Sequence, residues 1–331
     1  MPPSAAASVV ENARDILQFG DLAKERAVEM LKKLFLGLAI VIVLITVGGV
    51  AFALFQASAF DASVNNVYAI APLDVHAVED PAVIARGKHL VDSLGGCSEC
   101  HGTDLGGKPG ENLGPIGVVP GPNLTTGKGG VTGKYTDGQL ARVIRHGIKS
   151  SGKSLLFMPA QDISWWPDDD LQALVSYLRT LPPVDRRPGE ASIGLLGKVL
   201  DRMEMVPLDI ARRIDHGARR AKTMPAEVTV EYGALLARAC TGCHGAHFSG
   251  GPIPGAPSDM PVPANITPHE TGIAAATEAD WNRLLDTGIK RDGQPLNVFM
   301  PIQMLRAMNE PERAALWKFL RALPPRPFGE R

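Results

Sequence analysis

The sequence predicts a mainly helical chain in which one N-terminal membrane-spanning helix precedes two copies of the same domain. Three observations support this: a stretch of 27 residues without a charged side chain, five motifs that recur in order 141–143 residues later, and apolar residues at helical spacing. At 331 residues the chain has room for two or three domains. Its 34 Lys and Arg balance 35 Asp and Glu, so no nucleic-acid partner is expected.

The uncharged stretch runs from Leu34 to Phe60, and about 20 apolar residues suffice to cross a bilayer as a helix. We therefore predict a transmembrane anchor at 34–58, after a cytoplasmic amphipathic segment at 1–33 and before a linker at 59–80. A cleaved signal peptide is the alternative, because residues 57–59 have the small-residue pattern of a cleavage site. The 33 residues before the stretch, and its length, favour a retained anchor.

The charges around the anchor predict its orientation. Lys32 and Lys33 directly precede it, whereas no Lys or Arg follows it until Arg86. The positive-inside rule then places the N-terminus in the cytoplasm and everything after residue 60 outside. The predicted location is a bacterial cytoplasmic membrane crossed once, with both repeated domains on the periplasmic side.

The recurring motifs predict a duplicated domain, with copies at 81–184 and 227–331 and an inter-domain linker at 185–226. In each copy we expect one helix that leads into a cysteine motif and another that ends at a double proline. Between them in the first copy, residues 102–138 hold 12 glycines and four prolines, so we expect no regular element there. The motifs pair as Cys97–His101 with Cys240–His244, Asn123-Leu-Thr125 with Asn265-Ile-Thr267, Gly147-Ile148 with Gly288-Ile289, Met158-Pro159 with Met300-Pro301, and 173–183 with 315–325.

Both cysteine motifs read C-x-x-C-H, and together they use all four cysteines of the chain. A zinc ribbon needs its second pair about 20 residues from the first, a thioredoxin-like redox pair needs a βαβ context, and disulfides leave the histidines unexplained. Covalent haem attachment explains the whole motif, because helix positions i, i+3 and i+4 share one face. We predict two covalently bound haem c groups, held by Cys97, Cys100 and His101 and by Cys240, Cys243 and His244. The flat porphyrin of each haem would also supply apolar surface to its domain. Aromatic residues, which usually fill such cores, make up only 5% of the chain.

The second axial ligand decides what the iron can do, and a repeated methionine is the best candidate. Met158 lies 61 residues after Cys97, Met300 lies 60 residues after Cys240, and a proline follows each methionine. We predict His101 and Met158 as the iron ligands of one site, and His244 and Met300 as those of the other. Met304 is a weaker alternative, and Met as core filler is the plain structural interpretation.

Other polar and aromatic residues near these motifs have less specific interpretations. His146 has Thr287 at its repeat position, so we expect it at the surface or near a propionate rather than on iron. Asn123, Thr125, Asn265 and Thr267 fit hydrogen bonds to propionates or to loop backbone. Trp165 and Trp166 fit the haem edge, a membrane interface or ordinary core. In the linker, Leu195, Val199 and Leu200 fit one helical face, while Arg212, Arg213, Arg219 and Arg220 fit a lipid, partner, propionate or solvated surface.

The ordered set CxxCHG, GPNLT, Gly, Met-Pro and DLQALVSYLRTLPP resembles class I c-type cytochrome domains over residues 81–331. Two such domains behind one anchor are similar to membrane-anchored dihaem cytochromes c. The resemblance implies an all-α fold with three main helices per domain, His101 and His244 proximal to iron, and Met158 and Met300 distal. Cytochrome subunits of alcohol dehydrogenases and of haem–copper oxidases are similar, although the former usually carry three haem motifs.

These features predict single-electron transfer between redox partners on the outer side of the membrane, as a subunit of a respiratory or photosynthetic complex. Expected protein partners are a quinol-oxidising complex, a terminal oxidase, a dehydrogenase or a photosynthetic reaction centre. Two occupied axial positions favour a carrier without independent catalysis. The alternatives are a dihaem peroxidase or sulfur-compound oxidase with one exchangeable ligand, and a haem-based gas sensor that signals through the cytoplasmic helix.

Overall fold

The computed structural model describes residues 5–331 except 255, 257 and 258, and leaves the side chains of residues 5–23, 25, 27 and 111 undescribed. The chain divides into two compact units, Met1–Phe55 and Gln56–Arg331. The helices are α1 (Ala5–Asn65), α2 (Pro81–Asp92), α3 (Cys97–His101), α4 (Asp137–His146), α5 (Ala160–Ile163), α6 (Asp168–Thr180), α7 (Leu195–Arg202), α8 (Val230–Ala237), α9 (Thr241–His244), α10 (Glu278–Thr287), α11 (Ile302–Arg306) and α12 (Glu310–Ala322). The strands are β1 (Lys108–Asn112), β2 (Gly117–Gly121) and β3 (Ser192–Ile193), and 3₁₀ turns lie at 114–116, 132–134, 211–213 and 238–240.

Helix α1 contains a segment, Val28–Asn65, that is long and apolar enough to cross a membrane, a test that a signal sequence also passes. The predicted amphipathic character of 1–33 rests mainly on side chains that lie outside the described residues. The helix continues past the predicted anchor into the predicted 59–80 linker. Its last turns are held within the second unit, because Phe60 is buried and the Ser63 hydroxyl donates to the Asp209 carboxylate over 2.5 Å.

The chain after α1 lies along the first repeated domain. The Tyr68 N–H donates to the Gly152 carbonyl over 2.9 Å, and the buried Arg142 guanidinium donates to the Ile70 carbonyl over 2.7 Å. These bonds satisfy backbone groups that an extended segment would otherwise leave to water.

Each repeated domain is built on a crossing of its first and last helices. In the first domain α2 packs on α6, and in the second α8 packs on α12. A Cβ atom added at Gly87 would lie 2.0 Å from the Ala173 carbonyl oxygen, and one added at Gly233 would lie 2.0 Å from the Ala315 carbonyl oxygen. Glycine is therefore required at both crossings, because any side chain would collide with the partner backbone.

The apolar side chains of both domains form one continuous core. Leu90 and Leu174 of the first domain belong to the same buried cluster as Tyr232, Leu285 and Leu316 of the second. The two copies are therefore packed as one body, and not as two domains on a flexible linker.

A buried ion-pair network reinforces this contact. Glu312, on α12, is fully buried, and it accepts hydrogen bonds from Arg86 over 3.0 Å and from Tyr232 over 3.2 Å; its other oxygen lies 2.7 Å from His89 Nε2. Arg86 also forms a two-bond contact with Asp170. Burial alone would raise the pKa of Glu312, but its bonds from His89, Asn309 and Arg86 outweigh burial and hold the pKa below its ordinary value.

The expectation that residues 102–138 contain no regular element is wrong. Strands β1 and β2 pair antiparallel, with Asn112 opposite Val118 and an irregularity between Lys108 and Glu111. Strand β3, from the inter-domain linker, then pairs antiparallel with β2. The fold remains mainly helical, and this small sheet arises because the glycines and prolines bend a chain whose backbone still needs hydrogen-bond partners.

The inter-domain linker is folded, and two of its arginines, Arg212 and Arg213, are paired inside it. Arg212 and Arg213 both bond the buried carboxylate of Asp201 over 3.0 Å, and each also pairs with Glu204 over 2.6 Å. These contacts use the guanidinium groups of Arg212 and Arg213, two of the four that the sequence left open for lipid, partner, propionate or a solvated surface.

Candidate functional site

The two C-x-x-C-H motifs form short helical turns at equivalent places. Cys97–His101 is helix α3, whereas in the second domain a 3₁₀ turn at 238–240 leads into α9. The first cysteine of each motif is partly exposed and the second is exposed, and none of the four, all of them within the described residues, forms a disulfide. Burial of the thiol raises the pKa of Cys97 and of Cys240 to about 12, so each of these sulfurs is protonated as long as it is a free thiol.

The two motif histidines have the same environment. His101 Nδ1 lies 2.7 Å from the Pro122 carbonyl oxygen, and His244 Nδ1 lies 2.7 Å from the Ala264 carbonyl oxygen. A carbonyl only accepts, so Nδ1 carries the proton and Nε2 keeps its lone pair. Burial lowers the pKa of both imidazoles, which keeps them neutral, the form that binds a metal.

Glycine at position 121 positions the carbonyl that orients His101. A Cβ atom on Gly121 would lie 1.8 Å from the Cys100 carbonyl oxygen, so only glycine lets β2 pass this close to the first C-x-x-C-H motif. The next residue, Pro122, supplies the acceptor for His101. The small sheet that the sequence did not predict therefore positions the histidine.

The loop after each histidine repeats an unusual backbone feature. Leu105 and Phe248 are both buried non-glycine residues with positive φ, 52° and 61°. The Leu105 carbonyl accepts a hydrogen bond from the Leu124 N–H over 2.8 Å, and the Phe248 carbonyl accepts one from the Ile266 N–H over 2.9 Å. Left-handed backbone is disfavoured for branched and aromatic residues, so its recurrence indicates that both loops are held by the same surrounding contacts.

The repeated Asn-x-Thr motifs bind backbone. Asn123 Nδ2 donates to the Val184 carbonyl over 2.7 Å, and Asn265 Nδ2 donates to the Arg326 carbonyl over 2.7 Å. Each asparagine also accepts from the hydroxyl of its threonine over 2.8 Å. All four side chains are buried, so they fasten the segment after the last helix to the loop, which is the backbone role among those the sequence allowed.

Both candidate methionines are partly buried, and both are followed by a proline that precedes a short helix. Pro159 precedes α5 and Pro301 precedes α11. The Met158 carbonyl accepts a hydrogen bond from the Ala160 N–H, and the Met300 carbonyl accepts one from the Ile302 N–H, both over 2.7 Å. The two prolines also line one cavity of about 170 Å³ between the domains, together with Leu94, Trp166, Leu236 and Met304. Asp162 lines it too, and burial raises its pKa to about 6.

The donor set fits haem c better than a bare metal ion. Among the residues that the structure describes, no group of three or more His, Cys, Asp or Glu could hold a metal ion. Each motif instead offers two thiols in one turn beside a neutral imidazole whose Nε2 keeps its lone pair, which are the groups that a covalently attached haem needs.

His146 is buried, so the expected surface position is wrong, whereas a position near a propionate stays a prediction. Its Nδ1 lies 3.1 Å from Nδ1 of His216 in the inter-domain linker. Burial, then His216 and the neighbouring Arg220 and Arg145, lower the pKa of His146 to about 4, so both rings are neutral and one donates to the other. The pair attaches the linker to the end of α4.

The tandem tryptophans have separate roles. Trp166 is part of the core, and its carbonyl accepts from Arg145 over 2.7 Å. Trp165 contacts two guanidinium groups, with Arg220 4.7 Å and Arg238 4.2 Å from its ring centre. Arg238 precedes Cys240 by two residues, so Trp165 joins the first domain to the C-x-x-C-H turn of the second.

Comparison with known families agrees with this duplicated geometry. Residues 82–178 match the family described as cytochrome c oxidase, cbb3-type, subunit III, and residues 230–324 match the family described as cytochrome c. The chain is a dihaem c-type cytochrome with two tandem cytochrome c domains, a class of domain that binds haem c covalently.

The chain is most usefully compared with cytochrome subunits of dehydrogenases. It is 32% identical over 143 residues to the cytochrome c subunit of a quinone alcohol dehydrogenase from Gluconacetobacter polyoxogenes, which is 40% of this chain and 29% of the relative. It is 32% identical over 111 residues to a fructose dehydrogenase cytochrome subunit of Gluconobacter japonicus, covering 31% and 22%. A gluconate 2-dehydrogenase cytochrome c subunit of Pantoea cypripedii is 31% identical over 101 residues, covering 29% and 22%. The matches thus span less than a third of each relative's length.

Proposed function

We propose that this protein is a membrane-anchored electron-transfer subunit that carries single electrons between a dehydrogenase and an acceptor on the outer side of the membrane. Its relatives are cytochrome subunits of dehydrogenases, which supports a dehydrogenase as the electron donor. The positive charges before α1's apolar stretch, and their absence after it, support the outer location.

The observation that carries the proposal is the pair of identical histidine contacts. In both domains Nδ1 is occupied by a backbone carbonyl at 2.7 Å, which directs the lone pair of Nε2 to a metal. We assign His101 and His244 as proximal ligands and Met158 and Met300 as distal ligands. With these four side chains as its ligands, a bound haem would supply one-electron chemistry without binding substrate, and the protein's contribution would be orientation and exclusion of water.

The contact between the domains supports a carrier with two fixed centres. The shared core and the Glu312 network hold the domains as one body. The distance between the redox centres of the two domains would therefore be constant. A flexible linker would instead let that distance fluctuate.

The mass and the optical spectrum of the purified full chain test this proposal. We expect the added mass of two haem groups and a low-spin spectrum in both oxidation states. Met158→Ala and Met300→Ala should each convert about half of the signal to high spin, because the open position binds water or nothing. Met304→Leu is the matched control and should leave the spectrum unchanged. A high-spin resting protein, or methionine variants with unaltered spectra, would contradict the ligand assignment.

A further inference from the structure

The two domains differ in what covers the loop before the candidate distal methionine. In the first domain the linker lies across it: the Phe157 N–H donates to the Leu208 carbonyl over 2.9 Å, and the Ile210 N–H donates to the Leu155 carbonyl over 3.3 Å. Leu208 and Ile210 are fully buried there, and Phe157 keeps 38% of its surface exposed. The chain therefore covers its own first methionine loop with an apolar segment.

The second domain has no such cover on the matching loop within the described residues. Asn297 closes this loop by itself, because its side-chain oxygen accepts from the Phe299 N–H over 3.1 Å and its carbonyl accepts from the Met300 N–H over 2.9 Å. Val298 is 93% exposed and Phe299 is 64% exposed. Two backbone N–H groups of the loop are thus satisfied, while the apolar side chains of Val298 and Phe299 face solvent.

The deeper part of the contact is filled differently in the two domains. In the first domain Ile210 packs on the fully buried Ala160. The repeat position of Ala160 is Ile302, whose longer side chain packs against the main core from the chain itself. A partner of the second domain therefore does not need to insert a side chain equivalent to Ile210. The surface left for contact is formed by Val298 and Phe299, and we call it the Val298–Phe299 patch.

The chain on both sides of the patch is uncharged. Residues 293–305 contain no charged side chain. The charges just before them are paired, Lys290 with Asp292 over 3.4 Å and Arg291 with Asp280 over 3.6 Å. Binding at this surface would therefore depend on apolar area and would respond weakly to salt.

We propose that the Val298–Phe299 patch is the docking surface through which the second domain exchanges electrons with the uncharged, apolar face of a redox-partner protein. This rests on the proposed function and specifies where its partner binds. The patch directly precedes Met300, so the partner contacts the loop that we assign to the distal side. One electron crosses the contact in each encounter, and no atom or proton moves with it. The first domain offers no equivalent, because its own Leu208–Ala211 segment occupies that face.

Site-specific photocrosslinking in native membranes tests the occupant. We place p-benzoylphenylalanine at position 299 in one form of the full chain and at position 157 in a matched form, since both positions hold Phe. We expect position 299 to crosslink a redox protein and position 157 to crosslink this chain's own linker. Crosslinks from 299 to lipid or to a second copy of this chain, equal capture from both positions, or no protein crosslink would each overturn the proposal.

Electron-transfer kinetics in the same membranes supply the second, required arm. Val298→Ser and Phe299→Ser should each slow electron exchange with the partner by about tenfold, because each removes apolar contact at the centre of the patch. Phe157→Ser should change it by less than about twofold. Oxidation by ferricyanide, a small oxidant that needs no apolar docking surface, should be equal in all forms.

Salt and spectra complete the test and separate it from the proposed function. Partner exchange should vary little between about 0.05 and 0.5 M salt, whereas docking through charges would weaken steeply. Steep salt dependence, or unchanged exchange in Val298→Ser and Phe299→Ser, would overturn the docking proposal. If instead the wild-type spectrum lacks two low-spin haems, the proposed function itself has failed.

Discussion

The two cytochrome domains agree closely around the histidine and differ around the methionine. On the histidine side both have a carbonyl 2.7 Å from Nδ1, a buried Asn-x-Thr clamp and a positive-φ residue after the motif. On the methionine side the first loop is covered by the linker, whereas the second is closed by Asn297 and exposes Val298 and Phe299. The contacts that would orient the cofactor have been retained in both copies, and the surfaces available to partners have diverged.

This difference shows how a duplicated carrier can have one inward and one outward domain. Burial of Leu208 and Ile210 over the first loop removes apolar area from water, a gain of about 2 kcal/mol for each side chain. The same gain becomes available at the second loop when another protein covers it. The second domain lacks this internal stabilisation, and the apolar area that it leaves exposed can be buried when a partner binds.

The largest expected effect comes from breaking the contact that lets the two domains be compared as one body. Glu312→Ala should lower the free energy of unfolding by about 3–5 kcal/mol, because Arg86, His89 and Tyr232 lose the buried carboxylate that they share. Urea unfolding followed by circular dichroism measures this. Glu310→Ala, at an exposed position on the same helix, is the control and should change stability by less than about 0.5 kcal/mol. Equal effects of the two substitutions would contradict a buried joint.

A second prediction compares the two Asn-x-Thr clamps. Asn123→Ala should cost about 2–3 kcal/mol, because the Val184 and Arg186 carbonyls and the Thr125 N–H lose their partner inside the protein. Asn265→Ala should cost a similar amount in the second domain. Hydrogen exchange measured by mass spectrometry should show each effect near its own clamp, at 184–186 or at 326. Exchange that rises only near haem-contacting residues would instead support the propionate role.

A third prediction concerns the loss of stability in acid that arises from His146, in the first domain. The pKa of His146 is about 4 in the folded protein and ordinarily 6.5, so the unfolded chain binds more protons between these values. The stabilisation is complete above pH 6.5 and is lost as the pH falls towards 4, by about 1–2 kcal/mol near pH 5. His146→Gln should flatten this dependence in pH-resolved unfolding. The second domain has Thr287 at the matching position, so a slope that persists unchanged in the variant would contradict the assignment.

The chemistry of the site could be predicted from sequence because covalent attachment fixes residue spacing. The two C-x-x-C-H motifs and the recurring Met-Pro pairs identified the class of protein, and the family matches agree. The roles of Met158 and Met300 as ligands remain predictions.

What the sequence did not predict depends on contacts between distant segments. Strands β1 and β2 carry no alternating apolar pattern, so nothing local indicated a hairpin. Glu312 reads as a capping residue of an exposed helix start, and its burial follows only from Arg86 and His89 some 220 residues away. The inward position of His146 was missed because its partner, His216, belongs to a linker without a repeat.

The smallest expected effect sharpens the comparison at the open loop itself. Asn297→Ala removes the side-chain acceptor of the Phe299 N–H, but water can replace it at this exposed turn, so stability should fall by about 1 kcal/mol or less. The loop should nevertheless sample more conformations, and a thioether ligand held by that loop would leave the iron more often. We expect faster binding of added imidazole to the ferric second haem, with the first unchanged because the linker holds its loop. Asn297→Asp keeps the acceptor and should behave like the wild type, so equal acceleration in both variants would show that the turn does not control Met300.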